Sequence, residues 1–144
     1  MTIALIEDDE AILRSLSMLL ESRGIPVRPY SSAESFLDAA AEPPQCVVSD
    51  IRMPGMSGVE LQQELKKRDA AVPVILITGH GDIAMAVKAI KQGVFDFIEK
   101  PFDDERLIAS ILQAIEIGQR LRSEQDERAV LEGRVAELSP RQIE

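Results

Sequence analysis

Asp50 closes an apolar run, Cys46-Val47-Val48-Ser49, and opens the loop Ile51-Arg52-Met53-Pro54-Gly55-Met56-Ser57-Gly58. Three other polar signals close apolar runs in the same way. Glu7-Asp8-Asp9 follows Ile3-Ala4-Leu5-Ile6, Thr78 follows Val74-Ile75-Leu76-Ile77, and Lys100-Pro101 follows Phe97-Ile98. On one sheet edge, the Asp8, Asp9 and Asp50 carboxylates, the Thr78 hydroxyl and the Lys100 ammonium would form a small pocket suited to phosphoryl chemistry. Crowded carboxylates raise one another's pKa unless a cation is present. Hard oxygen ligands select Mg²⁺, which keeps several waters and takes one or two carboxylates plus phosphate oxygens. Asp9 and Asp50 are the expected direct ligands, with Asp8 acting through water. A carboxylate can attack a phosphoryl group to give an acyl phosphate, a transfer promoted mainly by positioning and charge neutralisation. Asp50 lies between the acidic pair and Thr78–Lys100 and is the expected acceptor. Mg²⁺ and Lys100 would neutralise phosphoryl oxygens, and Thr78 would donate a hydrogen bond to one. The structural alternatives are that strand-end acids cap the next helix and that Lys100 is a solvated surface lysine.

The chemistry requires elements that bring these ends together. Short apolar runs alternating with amphipathic stretches indicate βαβ units and a parallel sheet, whose carboxyl edge is where open α/β sheets bind ligands. Strands are expected over 2–7, 25–30, the run to Asp50, the run from Pro73, and Phe95–Glu99. Pro26 and Pro29 favour an edge position for the second. Helices are expected over 10–23, from Ser31 to about Ala41, over 58–68, from Asp82 to about Gln92, and from Asp103 onward. Ser31-Ser32-Ala33-Glu34 has capping-box spacing, and Asp82 and Asp103 are expected helix caps. Five strand–helix units make a three-layer α/β sandwich.

The chain has 144 residues, enough for one domain with an appendage. Its formal net charge of −9 argues against nonspecific nucleic-acid binding by this chain. Cys46 is the only cysteine, which excludes an intrachain disulfide. Its setting in an apolar run suits a small buried side chain. No long apolar segment is present to span a membrane, and the first residues read as a strand rather than a signal peptide, so a cytoplasmic location is expected.

The chain resembles a response-regulator receiver domain of two-component signalling over roughly residues 2–118. The matching pieces are Glu7-Asp8-Asp9, Asp50 within SDIRMPGMSG, Thr78-Gly79 and Lys100-Pro101-Phe102. The segment TGHGDIAMAVKAIKQG and the following DFIEKPF are similar to FixJ-type regulators. The resemblance implies a flavodoxin-like sheet of order 2-1-3-4-5 and phosphotransfer from a histidine kinase to Asp50. It also implies Mg²⁺ dependence, a metal contact from the Arg52 backbone carbonyl, and a cis peptide before Pro101. Such a domain is a phosphoacceptor switch that promotes its own phosphorylation and dephosphorylation. Thr78 would move toward the phosphoryl group and Phe97 would turn into the space released. Arg52 and His80, each two residues beyond a site residue, would tune water access; the alternative for His80 is a simple loop histidine.

The output surface implied is the fourth helix, fifth strand and fifth helix. Ile83, Ala86, Val87 and Ile90 give the fourth helix more apolar residues than one buried stripe needs. Phosphorylation-dependent homodimerisation is the expected use; the alternative is that all four are core. Residues 119–137 are expected as a helical linker, since QRLRSEQDER has almost no apolar face. Val130, Leu131, Val135 and Leu138 restore a narrow stripe that would pair in a coiled coil or fold back. Residues 138–144, LSPRQIE, resemble the start of a LuxR-type helix-turn-helix output domain that this chain does not contain, through which any DNA contact would pass.

Two other function classes compete. A Mg²⁺-dependent phosphohydrolase would normally carry a second acid two residues past its nucleophile, where Arg52 stands. A flavodoxin-like cofactor carrier would need a phosphate-cradling first loop, where Glu7-Asp8-Asp9 is acidic.

Overall fold

Each apolar run becomes a strand in the computed structural model, which describes residues 2–39, 43–68, 72–79 and 81–120. The elements are β1 Ile3–Ile6, α1 Glu10–Ser22, β2 Val27–Tyr30, α2 Ala33–Asp38, β3 Cys46–Asp50, α3 Gly58–Lys67, β4 Val74–Thr78, α4 Ile83–Lys91 and β5 Asp96–Glu99. A fifth helix, α5, is described over 104–120. The strands form one sheet of order β2-β1-β3-β4-β5, and every neighbouring pair is parallel. The expected three-layer fold and strand order are both present.

Strand period sorts the core into two layers. Ile3, Leu5, Cys46, Val48, Ile75 and Ile77 pack with Leu16 and Leu20 of α1 and with Leu107 and Ile111 of α5. Ala4, Ile6, Val47, Val74 and Leu76 face Ala33 of α2, Leu61 and Leu65 of α3, and Ala89 of α4. Strands covered on both faces lose the apolar–polar alternation of a half-exposed sheet and read as continuous apolar runs. Cys46 is fully buried, and burial pushes its thiol up to about 12.

Pro29 lies in β2, the edge strand paired with β1, where its missing N–H leaves no central ladder broken. Pro26 falls outside the strand, and its carbonyl accepts from Ile3 N. The expected box at Ser31 does not form. Ser32 is the N-cap of α2 and accepts from Ser35 N, while Glu34 reaches across to accept from Met56 N at 3.0 Å. A complete capping box instead starts α3, where Ser57 accepts from Glu60 N and Glu60 accepts from Ser57 N.

That box seats Gly58 hard against the sheet. A Cβ there would lie 2.7 Å from the Asp50 carbonyl oxygen and 2.8 Å from a Leu76 methyl. Gly58→Ala is therefore expected to cost about 1–3 kcal/mol by overpacking, measured as a lower urea midpoint with an unchanged slope.

No helix among the described residues is long and apolar enough to cross a membrane. From 121 onward, the expected linker, its apolar stripe and the output-domain start lie outside the described residues.

Candidate functional site

Parallel register brings the polar strand ends to one edge. Asp50 pairs with Ile77, the residue before Thr78, and Thr78 pairs with Glu99, the residue before Lys100. Two backbone bonds lock this arrangement: Ile51 N donates to Ile77 O at 2.9 Å, and Lys100 N donates to Thr78 O at 2.8 Å. The Lys100–Pro101 peptide is cis. Lys100 Nζ lies 3.5 Å from Asp50 Oδ2 and 4.0 Å from Glu7 Oε2, making it the shared cation of the two acids.

The acidic cluster differs by one residue from the sequence expectation. One carboxylate oxygen from each of Glu7, Asp8 and Asp50 lies within 4.8 Å of the others. Asp9 does not join them. It is the N-cap of α1, and its Oδ1 accepts from Ala11 N and Ile12 N. The structure thus brings Glu7 and Asp8, rather than the expected direct ligand Asp9, to Asp50. Glu7 leaves the strand first and remains in the sheet edge, whereas Asp9 is already at the helix start. The cap spacing before Ala11 and Ile12 was a readable signal for this.

Glu7 is only 2% exposed. Its Oε1 accepts from Asp9 N at 3.2 Å, while Oε2 has no hydrogen-bond partner among the described residues. Burial pushes its carboxyl up to about 7; the Asp50 charge adds to the rise, and the Asp9 N–H and Lys100 oppose it. A buried, unsatisfied carboxylate oxygen facing two further acids is the donor set that a hard divalent cation relieves. The residues therefore fit Mg²⁺.

Thr78 is fully buried, and its hydroxyl has no partner among the described residues. Such a group is costly to retain unless some state of the molecule uses it. Phe97 is half-buried on the α2–α3–α4 side of the sheet. Arg52 pairs through Nε with Asp82 Oδ1. Asp82 stands before α4 but makes no side-chain cap, correcting its expected role; its Oδ2 accepts from Gly79 N at 3.2 Å. His80 lies outside the described residues.

On α4 the four apolar residues separate. Ile83, Val87 and Ile90 are 45%, 44% and 39% exposed, whereas Ala86 is 0% exposed and belongs to the core. Ala86 is therefore removed from the expected docking face, because helical period turns it toward the sheet.

A family model for the response regulator receiver domain matches residues 3–112. The chain is 45% identical over 138 residues to the transcriptional regulatory protein FixJ of Azorhizobium caulinodans, covering 95% of this chain and 65% of that protein. It is 42% identical over 141 residues to the response regulator protein TodT of Pseudomonas putida, covering 97% of this chain and 62% of the relative. The chain thus spans about two thirds of the length of these relatives. Among solved structures, full-length FixJ from B. japonicum superposes with a TM-score of 0.79 at 43% identity, covering 97% of this chain and 70% of that one. The FixJ-N crystal structure gives 0.75 at 45% identity, covering 80% and 93% respectively.

Proposed function

The chain belongs to the response regulator receiver family, and from that premise we propose that Asp50 accepts a phosphoryl group from a sensor histidine kinase. The observation carrying this reading is the convergence on Asp50 of an acidic cluster and Lys100. An Asp50 carboxylate oxygen attacks phosphorus and the new O–P bond forms as the P–N bond to the kinase's phosphohistidine breaks; the ring takes one proton from solvent and leaves as neutral imidazole. Lys100 stays within reach of the added negative charge. Thr78 supplies a hydroxyl from the adjacent strand end.

Asp8 and Asp50, with the Arg52 backbone carbonyl, would hold Mg²⁺, and Glu7 bounds the site from its buried side. The ion supplies charge neutralisation of phosphoryl oxygens. The same pocket promotes loss of the phosphoryl group to water, so the chain is a switch with a finite on-state rather than an enzyme with a diffusible substrate.

Phosphorylation draws Thr78 toward the new group, and Phe97 turns into the space released. Phe97 has no hydroxyl, so it transmits the change through packing. The readout is the Ile83–Val87–Ile90 stripe, which pairs with a second copy of the chain. Residues 1–118 act as the receiver, 119–137 as linker, and 138–144 begin an output domain that binds DNA, with the whole acting in the cytoplasm.

The test is intact-protein mass after incubation with acetyl phosphate and Mg²⁺, where acetate is the leaving group, paired with size-exclusion chromatography. One phosphoryl group per chain, absent in EDTA, with a shift to dimer, is the expected outcome. No adduct with acetyl phosphate or with kinase would overturn the reading; an adduct without the dimer would remove only the α4 readout.

A further inference from the structure

Asp82 is a poor surface residue and a poor cap, yet its carboxylate is fully engaged. Its side chain is 4% exposed. It stands where an aspartate ordinarily accepts from the first-turn N–H groups of its own helix, and it makes no such bond. Both oxygens point backward instead. Oδ1 takes Arg52 Nε from the loop after β3, and Oδ2 takes Gly79 N from the loop after β4. One buried carboxylate therefore joins the loop of Asp50, the loop of Thr78 and the start of α4.

The two partners of this ion pair are unequal. Asp82 is fixed by burial, while the Arg52 side chain is 68% exposed and can move. Arg52 is also local to the phosphoacceptor: its backbone N–H lies 3.5 Å from Asp50 Oδ1. Guanidinium groups pair with phosphate oxygens as they do with carboxylates, often through two parallel N–H donors, and the contact to Asp82 is made through Nε. A phosphoryl group on Asp50 would therefore compete with Asp82 for the same cation. Withdrawal of Arg52 leaves Asp82 as a buried anion without its counter-charge, a state that proteins avoid by rearranging. The element that must rearrange is the first turn of α4, which carries Ile83.

We propose that Asp82 is a positioning residue that holds Arg52 away from Asp50 in the unphosphorylated chain, and that exchange of Arg52 from Asp82 to the phosphoryl group releases the start of α4. This rests on Asp50 being the phosphoacceptor and adds to that reading a specific contact that must break.

The experiment is a double-mutant cycle on the full chain with the parent, Asp82→Asn, Arg52→Ala and the combination. Two readouts are taken: amide hydrogen exchange over 82–87 without phosphodonor, and the rate of phosphorylation by acetyl phosphate with Mg²⁺. Arg52→Ala is expected to speed exchange at the start of α4 although no residue there has changed. Asp82→Asn is expected to speed phosphorylation roughly fivefold, the lower end of ordinary coupling, and to have no further effect once Arg52 is gone. Unchanged exchange in Arg52→Ala, or additive effects in the cycle, would make the pair an ordinary surface ion pair and overturn the proposal. A parent chain that takes no phosphoryl group on Asp50 would overturn the functional reading, and the coupling proposal with it.

Discussion

Asp50→Asn is expected to abolish the phosphoryl adduct, lowering its rate of formation by roughly a thousandfold or more, the scale on which loss of a nucleophile acts. The substitution is nearly isosteric, and Asp50 is held by a backbone frame that does not involve its side chain: Ile51 N donates to Ile77 O, and Asp50 pairs in register with Ile77. The fold should therefore survive, so the effect is chemical. An amide nitrogen or oxygen at this point cannot form the stable acyl phosphate that a carboxylate can. Lys100 keeps its contact with Glu7 at 4.0 Å, which leaves the cation in place and isolates the missing nucleophile. The variant should also lose the stabilisation by Mg²⁺ expected of the parent, because one of three clustered carboxylates is gone. Intact mass and thermal melts with and without Mg²⁺ measure both. Equal adducts in parent and variant would place the acceptor elsewhere.

The sequence makes legible whatever chain order alone determines. A strand buried on both faces is a continuous apolar run, so β1, β3 and β4 were legible, and so was the polar residue ending each. The parallel sheet then forces those ends to one edge, so the acids after β1, Asp50 and Thr78 form a group, which Lys100 joins from the end of β5. Structure and sequence expectation part where one residue of phase decides. Asp8 and Asp9 are chemically identical in sequence, yet one joins Glu7 and Asp50 while the other caps α1. Glu34 carried a capping-box signal, but its carboxylate is used on Met56 N, 22 residues away. Asp82 had a sound cap signal and is instead drawn to Arg52, 30 residues away. Both are tertiary contacts outcompeting a local one, and no spacing rule within a helix start contains the competitor. Ala86 differs from expectation for a simpler reason: four apolar residues on a short helix give its composition, and only the packed orientation divides them between core and surface.

Glu7 gives the second large effect. In metal-free buffer the chain is expected to lose stability as pH rises from 4.5, the ordinary value of a glutamate, to about 7, the value that burial gives Glu7. In that window the folded state holds a proton that the unfolded state has released. Stability therefore falls with rising pH and levels off once Glu7 is ionised in both states. A shift of this size sets an upper bound of roughly 3 kcal/mol. Mg²⁺ should reverse the trend, because a divalent cation compensates the same carboxylates that the proton otherwise relieves. At a hundred times its dissociation constant it would add roughly 2.7 kcal/mol, with the gain larger at pH 8 than at pH 5 because the metal no longer competes with protons. Glu7→Gln separates this from the other titrating acids: it keeps the shape and removes the charge, so the fall between pH 5 and 8 should flatten relative to the parent. Urea unfolding at both pH values, with and without Mg²⁺, makes the comparison. An undiminished pH slope in Glu7→Gln would mean that the buried acid is not what couples folding to the cation site.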